Sequence, residues 1–362
     1  MATIYHDSDA DLSALSGQTV AVVGYGNQGR SQALNLRESG IDVVVGNIRD
    51  YALEAAEADG FAVRPIAEAC DAASCVMLLI PDEVMPAVYA QQVAPHLGAG
   101  DLVSFASGYN VAFGLLEPAA DLDVVLVAPR MIGVGVRDAY VEGRGFPAFV
   151  GVHQDASGTA RARMLALSKG IGATRGGCIE MSMHDEASLD LFTEQGFGPA
   201  FGRVMMSAVE LLVGAGYPPE AVLVELYLSG EFAYSLEKIR EVGMTRQMDF
   251  HSRTSQYGSI TRGARYLGLD AALKEKMGAV LEEIRSGAFA KEWSEQQEQA
   301  NALFEKIREV REQLPFTKWE TAARKAFRIG DASLAQRAQV SRSEPQASEG
   351  HQVGERRPSG SE

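Results

Sequence analysis

The chain is poor in cysteine, tryptophan, histidine and positive charge. Its 362 residues hold three cysteines, two tryptophans and six histidines, and 48 acidic against 33 basic side chains leave a formal charge of −15. Cys70, Cys75 and Cys178 stand at no disulfide or metal-ligand spacing, so they read as buried thiols of a reducing compartment. The negative balance argues against a nucleic-acid partner, because binding a phosphate backbone needs cations that release its counterions. No apolar run approaches the roughly 18 residues that span a bilayer, and MATIYHDSDADLS is too polar and acidic for a secretory signal. The expectation is a cytoplasmic protein with neither nucleic acid nor membrane as partner. No internal repeat at a fixed period is present.

What is present falls into two halves. TVAVVG (19–24), DVVVG (42–46), SCVMLLI (74–80), DLVSFA (101–106) and VVLVAP (124–129) are β-branched or apolar runs, and PAFVGVH (147–153) is a further candidate strand. Helical stretches such as RSQALNLRES and YALEAAEADG separate them. Strands joined by short helical crossovers predict a parallel sheet covered on both faces. From about Glu186 the pattern is helical almost to Ile329. The expected organisation is an α/β Rossmann-type domain over 1–181, an all-α domain over 182–328, and a disordered tail over 329–362, where aliphatic residues nearly vanish.

AVVGYGNQGRSQALNL carries G-x-G-x-x-G as Gly24, Gly26 and Gly29, after a strand and opening a helix. That context is what a dinucleotide fingerprint requires: a tight turn at Gly24, backbone approach to the pyrophosphate at Gly26, helix-to-strand packing at Gly29, and N–H groups at the helix start. Cofactor choice falls to GNIRDYALE after the second strand. An acid there, Asp50, accepts hydrogen bonds from the adenosine ribose and repels a 2′-phosphate, favouring NADH. Arg49 is the opposite signal, able to hold a phosphate and so take NADPH. Asp50 also reads as a plain helix N-cap.

LDLFTEQ sets Asp190 and Glu194 four residues apart on an apolar helix. The two carboxylates stack on one face and repel by a few tenths of a kcal/mol. Either both face water, or both hold a hard divalent cation. Farther on, PPEAVLVELYLSGEFAYSLEK carries Glu225 and Glu231. Four carboxylates on two apolar helices suit Mg²⁺, and two such ions could share a bridging acid.

The stretches GYGNQGRSQALNLRESG, LLIPDEVMPAVY, ASGYNVAFG, VAPR, GVRDAYVEG, FVGVHQDASG, LSKGIGATRGG, LDLFTEQ, GAGYPPEA and SGAFAKEW give a chain that resembles the ketol-acid reductoisomerases in their short form, over about residues 1–327. The resemblance implies a knotted helical domain like that of 6-phosphogluconate dehydrogenase, and a homodimer in which two chains complete one helical domain. It implies alkyl migration in a 2-aceto-2-hydroxyacid held by two Mg²⁺, followed by reduction by NAD(P)H to a 2,3-dihydroxy acid. Asp190 would bridge the metals, Glu194 would bind one, and Glu225 would serve the other through the second chain. Tyr25, Asn27 and Gln28 of the glycine loop, with Pro81, Asp82 and Gly133, would line the cofactor, and Ser252 matches a substrate-contacting serine.

Three departures fall around the substrate. The family's A-H-G-F-N is here ASGYN, which puts Ser107 where a titrating histidine is usual. Its A-P-K is here APR, which puts the fixed charge of Arg130 where a lysine is usual. The second acid pair, two glutamates four apart, is here Glu225 followed by Ser229, with Glu231 six residues on. On an unbroken helix that step separates the two acids by about 120°; a bulge beside Gly230 would restore Glu231 to the substrate. His251, just before Ser252, is new and reads first as an ordinary surface or core histidine. These changes leave two enzymatic readings: a divergent reductoisomerase, or a metal-assisted reductase or isomerase acting on another 2-keto or 2-imino acid. A non-catalytic nucleotide-binding protein is disfavoured by the retained acids Asp190 and Glu194.

Overall fold

The computed structural model describes residues 2–330, so the tail expected over 329–362 lies, from 331 onward, outside the described residues. Nine strands form one sheet: β1 Ile4–Tyr5, β2 Thr19–Val23, β3 Asp42–Gly46, β4 Ala62–Arg64, β5 Cys75–Leu78, β6 Leu102–Phe105, β7 Asp123–Pro129, β8 Ala148–Gln154 and β9 Cys178–Glu180. Their order is β1-β9-β8-β7-β6-β5-β2-β3-β4. The run β4-β3-β2-β5-β6-β7 is parallel throughout. This is the doubly wound order, with its reversal at β2, where ligands bind beyond the carboxyl ends of the strands.

The sheet is mixed, not wholly parallel. β8 runs antiparallel to β7, which it follows after a connection that includes the helix Gly133–Val141. β9 is parallel to β8, and β1 is antiparallel to β9. The three strands that periodicity does not reveal, β1, β4 and β9, have two or three residues each, too few for an alternation to register.

Both faces of the sheet are covered, which explains the near-continuous apolar strands. One core layer gathers Val20, Val22, Met77, Val125 and Val127 under the helix Ala160–Ile171. The other gathers Ala21, Val23, Val76, Leu78, Phe105 and Leu126. All three cysteines are buried free thiols, and burial pushes each up to about 12.

The helical half is built differently. Its buried cluster contains Val209, Val222, Leu223 and Ala323, while Leu211, Met244, Ile260 and Leu267 are at least 70 % exposed. Met183–Gly214 is one continuous 32-residue helix with a window of mean hydropathy 1.2, long and apolar enough to cross a membrane by length and composition, and only 11 % of that window is buried. The run is interrupted by Asp185, Glu186, Asp190, Glu194, Arg203 and Glu210, so the sequence shows no unbroken apolar stretch there. Two π-type turns, Thr193–Phe197 and Val224–Leu228, carry Glu194 and Glu225.

Candidate active site

The strand ends supply the site. β2 runs into the glycine loop, β5 into Pro81 and Asp82, β6 into Ser107 and Gly108, and β7 into Arg130. Gly24 sits at φ +93, and a Cβ there would stand 2.7 Å from the Leu79 carbonyl oxygen. At Gly29 a Cβ would stand 1.9 Å from the Gly24 carbonyl oxygen, so only glycine lets helix Asn27–Glu38 start this close to its strand. Gly26 is the opposite case: nothing lies within 4 Å of where its Cβ would be, and Gly26 is the N-cap of that helix. The first N–H groups of a helix lack partners within it, which suits the start of this one to an anion such as a pyrophosphate.

The other loop residues divide into lining and support. Tyr25 is buried; its hydroxyl donates to Asp59 at 2.9 Å and its N–H to Asn47 Oδ1 at 3.1 Å. Its ring therefore holds the loop from beneath and is withdrawn from the cofactor surface expected of it. Gln28 Nε2 donates to the Met131 carbonyl at 2.9 Å, and a Cβ on buried Gly133 would stand 1.9 Å from the Asn27 carbonyl oxygen. Gln28, Asn27 and Gly133 thus lock the helix Gly133–Val141 against the loop. Asp50 is the N-cap of helix Tyr51–Ala58: its Oδ1 accepts from Ala52 N at 2.9 Å, Leu53 N at 3.2 Å and Asn47 Nδ2 at 2.8 Å. Oδ2 makes no bond among the described residues, so capping and ribose recognition are compatible. Arg49 is exposed beside it.

Across the strand ends lies helix Met183–Phe192, capped by Ser182. A Cβ on Gly108 would stand 2.1 Å from the Met183 carbonyl oxygen, so the β6 loop touches that helix directly. Gly108 N donates to Glu186 Oε2 at 2.6 Å, and Arg130 Nη2 donates to Glu186 Oε1 at 2.8 Å. Arg130 Nη1 donates to Asp190 Oδ1 at 2.7 Å. Glu186 has no exposed surface, whereas the Asp190 side chain is 42 % exposed. Burial pushes Glu186 up to about 7 against the opposing pull of the Gly108 N–H and Arg130. Asp82 rises to about 6, first from burial and then from Glu83, Asp190 and Glu194. Glu194 is also raised, by burial and then by Asp190, with Arg130 opposing. Ser107 is half-buried beside Gly108, and its Oγ accepts from Tyr109 N at 3.3 Å.

Asp82, Ser107 and Arg130 therefore share one edge of the sheet, Arg130 ties Asp190 to it, and the charge of Glu194 is felt at Asp82. Glu225, Glu231 and Ser252 are exposed and join none of these bonds. Among the described residues no group of three His, Cys, Asp or Glu side chains is close enough to hold a metal. Ser252 caps helix Arg253–Gly263. His251 is an ordinary packed histidine, with its Nε2 2.6 Å from Nε2 of buried Gln247. At Gly230, φ +84, the helix stops and restarts with Glu231 as its first residue, so the separation computed for an unbroken helix does not apply.

Sequence reasoning missed Glu186 and Asn110. Glu186 stands four residues before Asp190, and a signal was available: an acid flanked by Met183 and Ala187 on an apolar helix face. Asn110 Nδ2 donates to the Asp82 carbonyl and to Asp82 Oδ1, both at 3.2 Å. Its Oδ1 and the Tyr109 hydroxyl are buried without partners among the described residues, which suits a polar ligand group beside Asp82.

A doubly wound sheet with an open glycine loop at its switch point, bonded to an acid-bearing helical half, defines a two-domain dinucleotide-binding protein. Residues 14–177 match the family model described as the acetohydroxy acid isomeroreductase, NADPH-binding domain. Residues 183–329 match the ketol-acid reductoisomerase C-terminal domain. The chain belongs to the ketol-acid reductoisomerase family, and with it to the NAD(P)H-dependent oxidoreductases. It is 44 % identical over 314 residues to the ketol-acid reductoisomerase (NADP(+)) of Methanopyrus kandleri, covering 85 % of this chain and 93 % of that one. A solved NADH-preferring ketol-acid reductoisomerase from an uncultured archean superposes with TM-score 0.84 at 36 % identity, covering 89 % of this chain and 98 % of the other. A semialdehyde dehydrogenase NAD-binding protein from Cupriavidus necator shares the fold alone, at TM-score 0.56 and 20 % identity over 74 % of this chain and 99 % of the other.

Proposed function

We propose that the protein is a Mg²⁺-dependent ketol-acid reductoisomerase of branched-chain amino-acid biosynthesis, converting 2-acetolactate-type 2-aceto-2-hydroxyacids to 2,3-dihydroxy acids. The observation that carries this reading is the pair of bonds from Arg130 and Gly108 to helix Met183–Phe192. They hold Asp190 at the strand edge that bears the glycine loop, with Glu194 in the turn that follows. Divalent ions bound there would act as Lewis acids toward the hydroxyl and carbonyl oxygens of the substrate. The alkyl group moves from C2 to C3 as the C2 hydroxyl becomes a ketone and the C3 ketone becomes a hydroxyl. NAD(P)H, when bound, would supply the hydride that reduces C2, and a proton would complete the second hydroxyl.

The chain's own residues divide the remaining work. Asp190 and Glu194 would hold metal, with Glu225 contributed by a second copy. Ser107 hydrogen-bonds a substrate oxygen. Arg130 fixes positive charge beside it, and Glu231 and Ser252 close the site from the helical half. Gly24, Gly26 and Gly29 receive the pyrophosphate, supported by Tyr25, Asn27 and Gln28. Pro81, Asp82 and Gly133 flank the nicotinamide side, and the free oxygen of Asp50 inclines the site to NADH over the NADPH that Arg49 could bind. With domains at 1–181 and 182–328, the cleft would lie between them. A cytoplasmic homodimer accounts for the exposed apolar side chains of the helical half, since burying them would return roughly 25 cal/mol per Å².

The second reading, a metal-assisted reductase or isomerase acting on another 2-keto or 2-imino acid, is favoured by Ser107 and Arg130, neither of which can trade a proton near neutral pH as histidine or lysine can. The test is NAD(P)H oxidation with Mg²⁺ on 2-acetolactate and, separately, on 3-hydroxy-3-methyl-2-oxobutyrate, which needs reduction only. Turnover of both, lost in Asp190→Asn, is the expected result. Turnover of the second substrate alone selects the second reading, and turnover of neither overturns the first.

A further inference from the structure

Asn47 follows β3 directly and is 9 % exposed, and both arms of its side-chain amide are engaged. Oδ1 accepts from Tyr25 N–H, inside the glycine loop, at 3.1 Å. Nδ2 donates to Asp50 Oδ1 at 2.8 Å and to the Ile48 carbonyl at 2.9 Å. A peptide N–H only donates and a carboxylate only accepts, so these partners fix which way the amide faces. One buried side chain thus joins the turn offered to the pyrophosphate to the acid offered to the ribose.

Capping alone does not aim Asp50. The N–H groups of Ala52 and Leu53 both fall on Oδ1, and the carboxyl torsion of an aspartate is broad, so Oδ2 is free to sweep about the anchored oxygen. The Asn47 amide is a third donor to Oδ1 and closes that arc. It also shapes the short loop in between, where Ile48 and Arg49 are exposed. The far end of helix Tyr51–Ala58 is tied separately: its C-cap Asp59 accepts from the Tyr25 hydroxyl at 2.9 Å and from Arg30 Nε at 2.7 Å. The two ties can therefore be cut one at a time.

We infer, resting on the cofactor reading above, that Asn47 is a positioning residue for cofactor choice. Its amide aims the free oxygen of Asp50 at the 2′ position of the adenosine ribose, where a hydroxyl donates and a phosphate is repelled. Without the amide, Asp50 still caps its helix, but discrimination between NADH and NADPH falls while binding persists.

Calorimetric titration of the full-length protein with NADH and with NADPH, in wild type, Asn47→Ala, Asp50→Ser and the double variant, tests this, with thermal unfolding of each alongside. Asn47→Ala is expected to lower the ratio of NADH to NADPH affinity about tenfold, the scale of one hydrogen bond to a charged group. In the Asp50→Ser background the same change should move the ratio by less than about twofold, because coupled residues are non-additive. A purely structural role would weaken both cofactors alike. Asn47→Ser, which keeps a polar atom at the buried position, repeats the cycle should the alanine variant fail to fold. Tyr25→Phe cuts only the Asp59 tie and should leave the ratio unchanged; a shift as large as that of Asn47→Ala would overturn the assignment to Asn47. A ratio moved by Asp50→Ser but not by Asn47→Ala overturns this inference and leaves the cofactor reading standing, whereas a ratio that Asp50→Ser does not move overturns both. An Asn47→Ala effect of full size in the Asp50→Ser background overturns action through Asp50.

Discussion

Replacing Gly26 by valine separates the cofactor loop's two duties. A Cβ at Gly26 meets nothing within 4 Å, and the residue's φ is negative, −79. The fold should barely register the change, with unfolding of the cofactor-free protein shifted by less than about 0.5 kcal/mol, the range of an unconstrained surface substitution. The side chain would occupy the space from which backbone N–H groups at the helix start reach an anion. Each hydrogen bond to a charged group contributes about 1.5–3 kcal/mol. Losing two weakens NAD(P)H by about 3–6 kcal/mol, or roughly 10²- to 10⁴-fold in Kd. Gly29→Ala is the contrasting variant. Its Cβ would fall 1.9 Å from a backbone oxygen that cannot rotate away, so fold and binding should suffer together, by at least the ~1–3 kcal/mol of an overpacked site. Calorimetric titration with NADH and NADPH, beside thermal unfolding of each variant, reads both effects. A Gly26→Val protein that binds either cofactor within threefold of wild type would refute the assignment of the loop.

Two further outcomes are expected. Serine keeps the helix cap that Asp50 provides but removes its charge, so Asp50→Ser should retain stability and shift preference toward NADPH in a comparison of kcat/KM for the two cofactors; an unchanged ratio would hand the choice to Arg49 alone. Glu186 is raised in the folded protein to about 7 from an ordinary 4.5, so the folded state binds the extra proton, and this group's contribution to stability is complete below about pH 4.5 and is lost as pH rises through 7. Glu186→Gln should flatten the decline of metal-free stability across that window by up to about 1.4 kcal/mol per pH unit, with Asp82 titrating equally in both proteins; parallel stability curves would count against a buried, titrating Glu186.

The features legible in the sequence were those with long local signatures. The glycine loop, the five central strands and β8 follow from apolar runs and spacing, and LDLFTEQ marks its helix. The antiparallel turn of β8 was not legible, because an apolar strand reads the same in either direction. Glu186 was passed over because its role depends on Gly108 and Arg130, which approach from the ends of β6 and β7, 78 and 56 residues away in sequence. Tyr25 misled for a related reason: adjacency to Gly24 and Gly26 says nothing about the inward turn that Asp59 and Asn47 impose on it. The break at Gly230 depends on a positive φ, which a glycine permits without announcing.

The π-type turns Thr193–Phe197 and Val224–Leu228 lie within the segments that carry Glu194 and Glu225. Such a turn holds one residue more than its neighbours, so it sets back the phase of everything downstream by about 100° relative to an uninterrupted α-helix. Trimming a single residue from either turn would rewind it and swing the following side chains to another face, while a like-sized replacement would leave their aim intact. Length, ahead of composition, is what these two segments cannot afford to change.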